Sequence, residues 1–134
     1  ERDLVGVRTN FRNEDVYLYR LRVPAENARQ LLRVYLERIN QLADQPEFYH
    51  LLSNSCTINI VRYANLVGRK GDFDFRHYLN GWVDRYFYDT RLLNSQFPFA
   101  ELRQRSRVNP AVKASEEIEE FAQHIRESVP GMRH

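Results

Sequence analysis

The sequence predicts an α+β fold in which an N-terminal β-hairpin is followed by about five helices, so that helices dominate. Apolar residues alternate over residues 15–23, and they recur every three or four residues in several later stretches. Alternation is typical of a half-buried strand, and the longer spacing is typical of an amphipathic helix. Glycine is scarce, with five in 134 residues, and 13% of the residues are aromatic, which favours packed helices over a turn-rich β-sandwich.

Two short apolar stretches predict the hairpin, LVGVRT at 4–9 and DVYLYRLRV at 15–23. In the second stretch apolar and aromatic side chains share one face, while two arginines share the other. The connection between the stretches is short and polar, which favours an antiparallel pair. We therefore expect residues 1–23 to form a hairpin and residues 24–134 a helical region, which together make a single domain or the C-terminal part of one.

Five helices are expected after the hairpin, each from its apolar spacing and its capping or breaking residues. The first two begin at Pro24 and near Cys56, and the third is rich in aromatic residues. The fourth begins at Pro98, and the fifth has an apolar stripe formed by Ile118, Phe121, Ala122, Ile125 and Val129. Their expected bounds are 24–43, 56–68, 73–93, 98–106 and a last helix from Ser115, with a break at 107–112.

The composition argues against several classes of function, namely those that need a strongly basic surface, several cysteines or a membrane span. Twenty basic residues face eighteen acidic ones, for a net charge of +2, so a nucleic-acid partner is not expected. The single cysteine excludes an internal disulfide and a multi-cysteine zinc site, and we expect neither a cofactor nor a metal. No apolar run reaches the roughly 18 residues of a membrane span. The opening ERDLVGVRTN has neither an initiator Met nor a signal-peptide pattern, so we expect a processed or excised piece.

The lone cysteine, Cys56, is the candidate catalytic residue. Ser53, Asn54 and Ser55 precede it, and each is a good helix N-cap, which places Cys56 in the first helical turn with Thr57 behind it. The positive end of a helix stabilises a thiolate, and first-turn N–H groups can bind the oxyanion formed in acyl transfer. The pattern is therefore consistent with a nucleophile whose supporting residues are Asn54, Ser55 and Thr57.

The same cysteine is also explained as a small apolar residue of the core, because it shares a helical face with Ile60, Tyr63, Ala64 and Val67. A nucleophile needs a base as well. His50, six positions upstream, is the candidate nearest in sequence, whereas the patterns around His77 and His124 are typical of helix surfaces. No histidine has a spacing that pairs it with Cys56.

A resemblance to a known family is carried by three blocks of the sequence. They are ERDLVGVRTNFRNEDVYLYRLRVP, LERINQLADQPEFYHLLSNSCTINI and YLNGWVDRYFYDTRLLNSQFPFAELRQRSRVN. In this order they resemble the C-terminal half of the bacterial Lnb N-terminal periplasmic domain family, long catalogued as a domain of unknown function. The most specific stretches are RTN to YLYRLR and the PFAELR segment. The family's Asn-Cys-Thr-Thr motif corresponds to Cys56 and Thr57, with Ser55 in place of the Asn and Ile58 in place of the second Thr.

The resemblance implies a permuted papain-like fold, similar to relatives of lecithin:retinol acyltransferase, and a place in the periplasm or cell envelope. It implies that Cys56 is the nucleophile of a cysteine-dependent acyltransferase or hydrolase acting through a thioester, with the general-base histidine upstream of this chain. The expected partners are a lipid or acylated substrate and the upstream part of the same protein, and the isolated chain is expected to be inactive. The alternative is a non-catalytic envelope interaction domain in which Cys56 is a buried core residue.

Overall fold

The computed structural model describes residues 1–50, 55–68, 74, 80–93, 96–115 and 119–132. Within these residues the chain is helical and contains no β-strand. The predicted α+β class is therefore wrong. The helices, in chain order, are α1 (Arg2–Gly6), a π-helical turn (Val7–Phe11), α2 (Ala25–Asp44), α3 (Cys56–Leu66), a 3₁₀ turn (Asn80–Trp82), α4 (Val83–Asp89), α5 (Phe99–Arg105), α6 (Asn109–Ala114) and α7 (Phe121–His124).

The first predicted strand is helical instead, so residues 1–23 form no hairpin. Helical spacing places Val5 and Thr9 one turn apart, where Val5 packs against the core and the Thr9 hydroxyl donates a hydrogen bond of 2.9 Å to the Val5 carbonyl. Thr9 is itself buried. The helical turns are followed by Asn13, whose φ of 54° lies in the left-handed region that asparagine tolerates.

The second predicted strand, residues 15–23, pairs with later parts of the chain. Isolated antiparallel bridges join Tyr17 to Arg107 and Leu21 to Leu93. Main-chain N–H groups of Leu18 and Arg22 donate to the carbonyls of Ser106 and Leu92, at 2.8 and 2.7 Å. The segment is therefore extended, as a strand would be, but within the described residues its main chain bonds to two separate parts of the chain and forms no continuous ladder.

The chain divides into two compact units, and the first contains residues 1–22 and 90–134. Its buried core consists of Val108, Val112, Phe121, Ile125 and Val129. The break predicted at 107–112 is wrong, because α6 begins within it, at Asn109. A proline lies in the first turn of α6, where its missing N–H needs no acceptor. Of the predicted last apolar stripe, Phe121, Ile125 and Val129 are buried, Ala122 is exposed and Ile118 lies outside the described residues. Among the described residues from 119 to 132, α-helical geometry is limited to α7.

The second unit, residues 23–89, contains α2, α3, the 3₁₀ turn and α4. Pro24 is the N-cap residue of α2, as its fixed φ and missing N–H favour, and α3 begins at Cys56 as predicted. The aromatic helix predicted over 73–93 is observed as the 3₁₀ turn and α4, with Tyr86 buried. Its start at residues 73 and 75–79 lies outside the described residues.

The Asn109 side chain fixes the extended segment in the first unit. Its Oδ1 accepts a hydrogen bond of 3.0 Å from the Val16 N–H, and its Nδ2 donates one of 2.9 Å to the Glu14 carbonyl. Asn109→Ala is expected to lower the free energy of unfolding by about 1–3 kcal/mol, because two half-buried main-chain groups lose their partner. Urea unfolding measures this. The matched control Asn40→Ala, at an exposed position of α2, should change stability by less than about 0.5 kcal/mol. Equal effects of the two changes would contradict the role given to Asn109.

Glu1 and Arg126 form an ion pair, with 2.6 Å between Arg126 Nη1 and Glu1 Oε2. The hydrogen bond from Arg126 lowers the pKa of Glu1 below its ordinary value of 4.5. The pair's contribution to the free energy of unfolding is therefore complete above pH 4.5, and it is lost as the pH falls through the lowered pKa of Glu1. Since both side chains are about one-third or more exposed, Glu1→Gln should cost less than about 1 kcal/mol at pH 7.

The cost of Glu1→Gln should fall as the pH drops through the lowered pKa of Glu1, because the carboxyl group then becomes protonated in the folded state as well. Urea unfolding of both proteins at several pH values measures it, and Glu119→Gln, at an exposed position, is the control. A cost that stays constant from pH 7 to pH 2 would show that the ion pair is not its cause.

Candidate active site

The candidate site begins at the N-terminus of α3. Ser55 is the N-cap, and its side-chain oxygen accepts a hydrogen bond of 3.4 Å from the Ile58 N–H. The Ser55 carbonyl accepts a second bond, of 3.0 Å, from the Asn59 N–H, which closes the first turn. Ser55 is buried, so the start of the helix is fixed at this residue. Of the three predicted capping residues, Ser55 is the cap, and Asn54 lies outside the described residues.

Cys56 is the first residue of α3, and its side chain is exposed. Its sulfur lies 3.9 Å from the Thr57 hydroxyl oxygen. The thiol is therefore in contact with solvent at the positive end of an 11-residue helix, where the macrodipole and the first-turn N–H groups favour negative charge. This exposure does not fit the alternative in which Cys56 is a buried core residue.

The histidines considered from sequence are not in hydrogen-bond contact with the Cys56 sulfur in the part of the chain that the structure describes. His50 is exposed and follows α2. His124 belongs to the first unit, where its Nδ1 lies 3.5 Å from a Glu127 carboxylate oxygen. His77 lies outside the described residues. The described residues thus include the candidate nucleophile and its helix cap without a bonded imidazole.

Two tyrosines that the site prediction did not include, Tyr35 and Tyr63, contact each other where α2 packs against α3. Tyr63 is on the same face of α3, two turns after Cys56, and only 7% of it is exposed. Tyr35 of α2 packs edge-on against it, with 5.1 Å between the ring centroids. Through this contact α2 places a phenol beside the face of α3 on which Cys56 lies.

Arg38, one turn after Tyr35 on α2, forms a salt bridge with Glu47, in the residues after α2. The hydrogen bond to Glu47 is the main reason that the pKa of Arg38 is raised, and Tyr63 raises it further.

The Tyr35 phenol responds electrostatically to the cysteine. Burial raises the pKa of Tyr35, and the negative charges that Tyr63 and Cys56 acquire on ionisation raise it further. The Tyr35 hydroxyl therefore keeps its proton, and so remains a hydrogen-bond donor, at neutral pH.

Sequence reasoning placed Tyr35 and Tyr63 on apolar helix stripes and gave them no role at the site. The seven-residue interval between Cys56 and Tyr63 was the available signal for one of them, because it puts both residues on one face. Nothing in the spacing joins Tyr35 to this face, since the contact depends on how α2 packs on α3.

Comparison with known proteins gives one family. The model of the Lnb N-terminal periplasmic domain matches residues 1–96, which include α2, α3 and Cys56. The PFAELR segment, at 98–103, lies beyond the matched residues. No curated protein and no solved structure matches the chain significantly. Among the described helices, none is both long and apolar enough to be a membrane span.

Removing the N-cap should destabilise the site locally. Ser55→Ala is expected to lower the free energy of unfolding by about 0.5–2 kcal/mol, because the Ile58 N–H loses its acceptor. Urea unfolding measures this, and Ser128→Ala, at an exposed position in the first unit, should have an effect below about 0.5 kcal/mol. If Ser55→Ala is as mild as Ser128→Ala, Ser55 does not determine where α3 begins.

Proposed function

The chain belongs to the Lnb N-terminal periplasmic domain family, and we propose that it is part of a bacterial envelope cysteine-dependent acyltransferase or hydrolase. In this proposal Cys56 is the nucleophile and forms a thioester with the acyl group. The family's name refers to a periplasmic domain, which supports a location in the periplasm or cell envelope. The proposed substrate is a lipid or another acylated molecule.

One observation supports the role of Cys56 above all others: its thiol is exposed at the first residue of a capped helix. A thiolate is the reactive form of cysteine, and the N-terminal end of a helix stabilises it. The backbone N–H of the first residue of a helix has no carbonyl acceptor within that helix, so the Cys56 N–H is the oxyanion donor of this proposal. Exposure, charge stabilisation and an oxyanion donor are the three local requirements of a cysteine nucleophile.

The reaction has two acyl transfers. The Cys56 thiolate adds to the carbonyl carbon of an ester or amide and forms a tetrahedral oxyanion. The oxyanion collapses, the bond to the alcohol or amine breaks, and that leaving group takes a proton from the protonated base as the thioester remains on the sulfur. An amine or water then attacks the thioester and loses a proton to the base, and the Cys56 thiolate is released.

A general base completes the proposal. We place it on a histidine in the upstream part of the same protein, because the described residues include no imidazole bonded to Cys56. His50 is the alternative within the chain, since it lies six positions before Cys56 and is exposed. Substitution of His50 in the longer protein distinguishes the two sources: activity persists if the base is upstream.

A second function, a non-catalytic envelope interaction domain, is favoured by a different observation. Leu32, Leu36 and Ile39 form a stripe on α2, and each is more than half exposed, at 60, 54 and 59%. Exposed apolar stripes often bind partners. This function predicts that Cys56→Ala preserves activity in cells, whereas the catalytic proposal predicts that it abolishes activity.

The reactivity of the thiol tests the catalytic proposal. Because Cys56 is the only cysteine, iodoacetamide labels a single site in the folded chain. At pH 7 its alkylation is expected to be about five to ten times faster than that of the peptide SNSCTINI, which has the same neighbours and is too short to form a stable helix. The measurement is the second-order rate constant, obtained by intact mass spectrometry.

A matched control separates the helix terminus from simple accessibility. The Ser55→Ala protein retains the thiol but loses the cap, and its rate should fall towards that of the peptide. A folded chain that reacts no faster than the peptide would overturn the role of Cys56 as an activated nucleophile.

A further inference from the structure

Three exposed arginines of the first unit lack the carboxylate partners that many other arginines of the chain have. Arg8 and Arg107, for example, form ion pairs with acidic side chains at 2.7 and 2.8 Å. Arg20, Arg22 and Arg91 are exposed, and their guanidiniums have no hydrogen-bond or ion-pair partner among the residues that the structure describes. Their positive charges are therefore available to a partner outside these residues.

The acidic residues nearest to the three arginines in sequence are already engaged. Asp15, Glu26 and Asp89 pair with Arg107, Arg29 and Arg85, at 2.8, 3.2 and 3.0 Å. The uncompensated charge is thus concentrated locally, although the formal charge of the whole chain is only +2. A local excess of one sign attracts ions of the opposite sign, which an evenly mixed surface does not.

The main chain brings the three arginines together. Arg20 and Arg22 are two positions apart on an extended segment, so their side chains leave the same side of it, about 7 Å apart. The Arg22 N–H donates a hydrogen bond of 2.7 Å to the carbonyl of Leu92, the residue after Arg91. The residues beside these two form an antiparallel bridge. The three guanidiniums therefore extend from two adjoining stretches of main chain within one unit.

The local structure does not require an arginine at position 91. Arg91 follows the end of α4 with a φ of 58°, in the left-handed region. Glycine or asparagine adopts this conformation with less strain, because the Cβ of other residues crowds the backbone there. The Arg91 side chain is exposed, so it adds nothing to the core. Binding of an anionic partner accounts for a guanidinium at this position.

Leu21 indicates which kind of anionic partner fits. It lies between Arg20 and Arg22 in the chain, and 42% of it is exposed. A phospholipid bilayer offers phosphate groups to guanidiniums and an apolar boundary to a side chain such as Leu21. Arginine stems are long enough to reach the headgroups from beside it. The apolar stripe of α2 is less suited to an anionic surface, because the three basic residues of α2 are balanced by three acidic ones.

We propose that Arg20, Arg22 and Arg91, together with Leu21, bind the surface of an anionic phospholipid bilayer. The matched family is named for a periplasmic domain, which supports a location beside a membrane. The contact does not involve Cys56, so its failure leaves the function proposed above unaffected.

Sedimentation with vesicles tests the contact in the unaltered chain. Vesicles of equal parts phosphatidylglycerol and phosphatidylcholine are expected to bind the chain at low salt, and vesicles of phosphatidylcholine alone are not. Raising the salt concentration from about 0.05 to about 0.5 M should release the chain, because ions screen the attraction. Equal binding to both kinds of vesicle, or binding to neither, overturns the proposal.

Two matched double substitutions locate the contact. Arg20→Gln with Arg22→Gln is expected to lower the partition coefficient on the anionic vesicles about 25-fold, since each arginine near an anionic surface contributes about fivefold. Arg29→Gln with Arg33→Gln removes the same charge from exposed positions of α2 and should lower it less than about twofold. An equal fall in the two variants shows that only net charge matters, and the assignment to this surface is then wrong.

A soluble polyanion distinguishes a bilayer from other acidic partners. Duplex DNA, added at the same phosphate concentration as the anionic vesicles, is expected to leave most of the chain on the vesicles, because DNA offers no apolar boundary to Leu21. If the DNA displaces the chain completely, the three arginines form a general site for polyanions, and the choice of a bilayer is contradicted.

Discussion

The point at which α3 begins is the constraint on which the site depends. Ser55 caps the helix with its side chain and its carbonyl, and it is buried, so the next residue is held at the open end of the helix. Because that residue is Cys56, the sulfur is exposed to solvent and to the positive end of the helix at once. A start one residue later would leave the thiol outside the helix, and a start one turn earlier would place it within the helix interior, away from the first-turn N–H groups.

The second constraint is the packing of α2 against α3. Tyr63 belongs to the helix that presents the cysteine, and Tyr35 reaches it from the preceding helix with its ring edge-on. Arg38 of α2 forms a salt bridge with Glu47, in the residues after that helix. All of these residues, with Cys56, lie within residues 23–89, which form one compact unit, and within the residues matched by the family. The site that we propose therefore depends on contacts inside one unit.

Local signals predicted the start of α3 better than the fold class. The cap at Ser55 and the start of α3 depend on neighbours in sequence, so they could be read from it, as could the stripe of Phe121, Ile125 and Val129. The hairpin could not be predicted correctly, because residues 15–23 are extended through bonds to Leu92 and Ser106, and Val5 packs on a core formed mainly by residues 108–129. Tyr35 was missed for the same reason, since its contact with Tyr63 joins residues 28 positions apart. Distant partners override local periodicity, and sequence alone does not identify them.

A crystal structure of the chain acetylated on Cys56 locates the oxygen that the first turn of α3 is proposed to bind. The carbonyl oxygen of the thioester is expected about 3 Å from the Cys56 backbone nitrogen, within hydrogen-bond distance. A carbonyl oxygen directed into solvent, with no backbone nitrogen of the first turn within that distance, would contradict the role of Cys56.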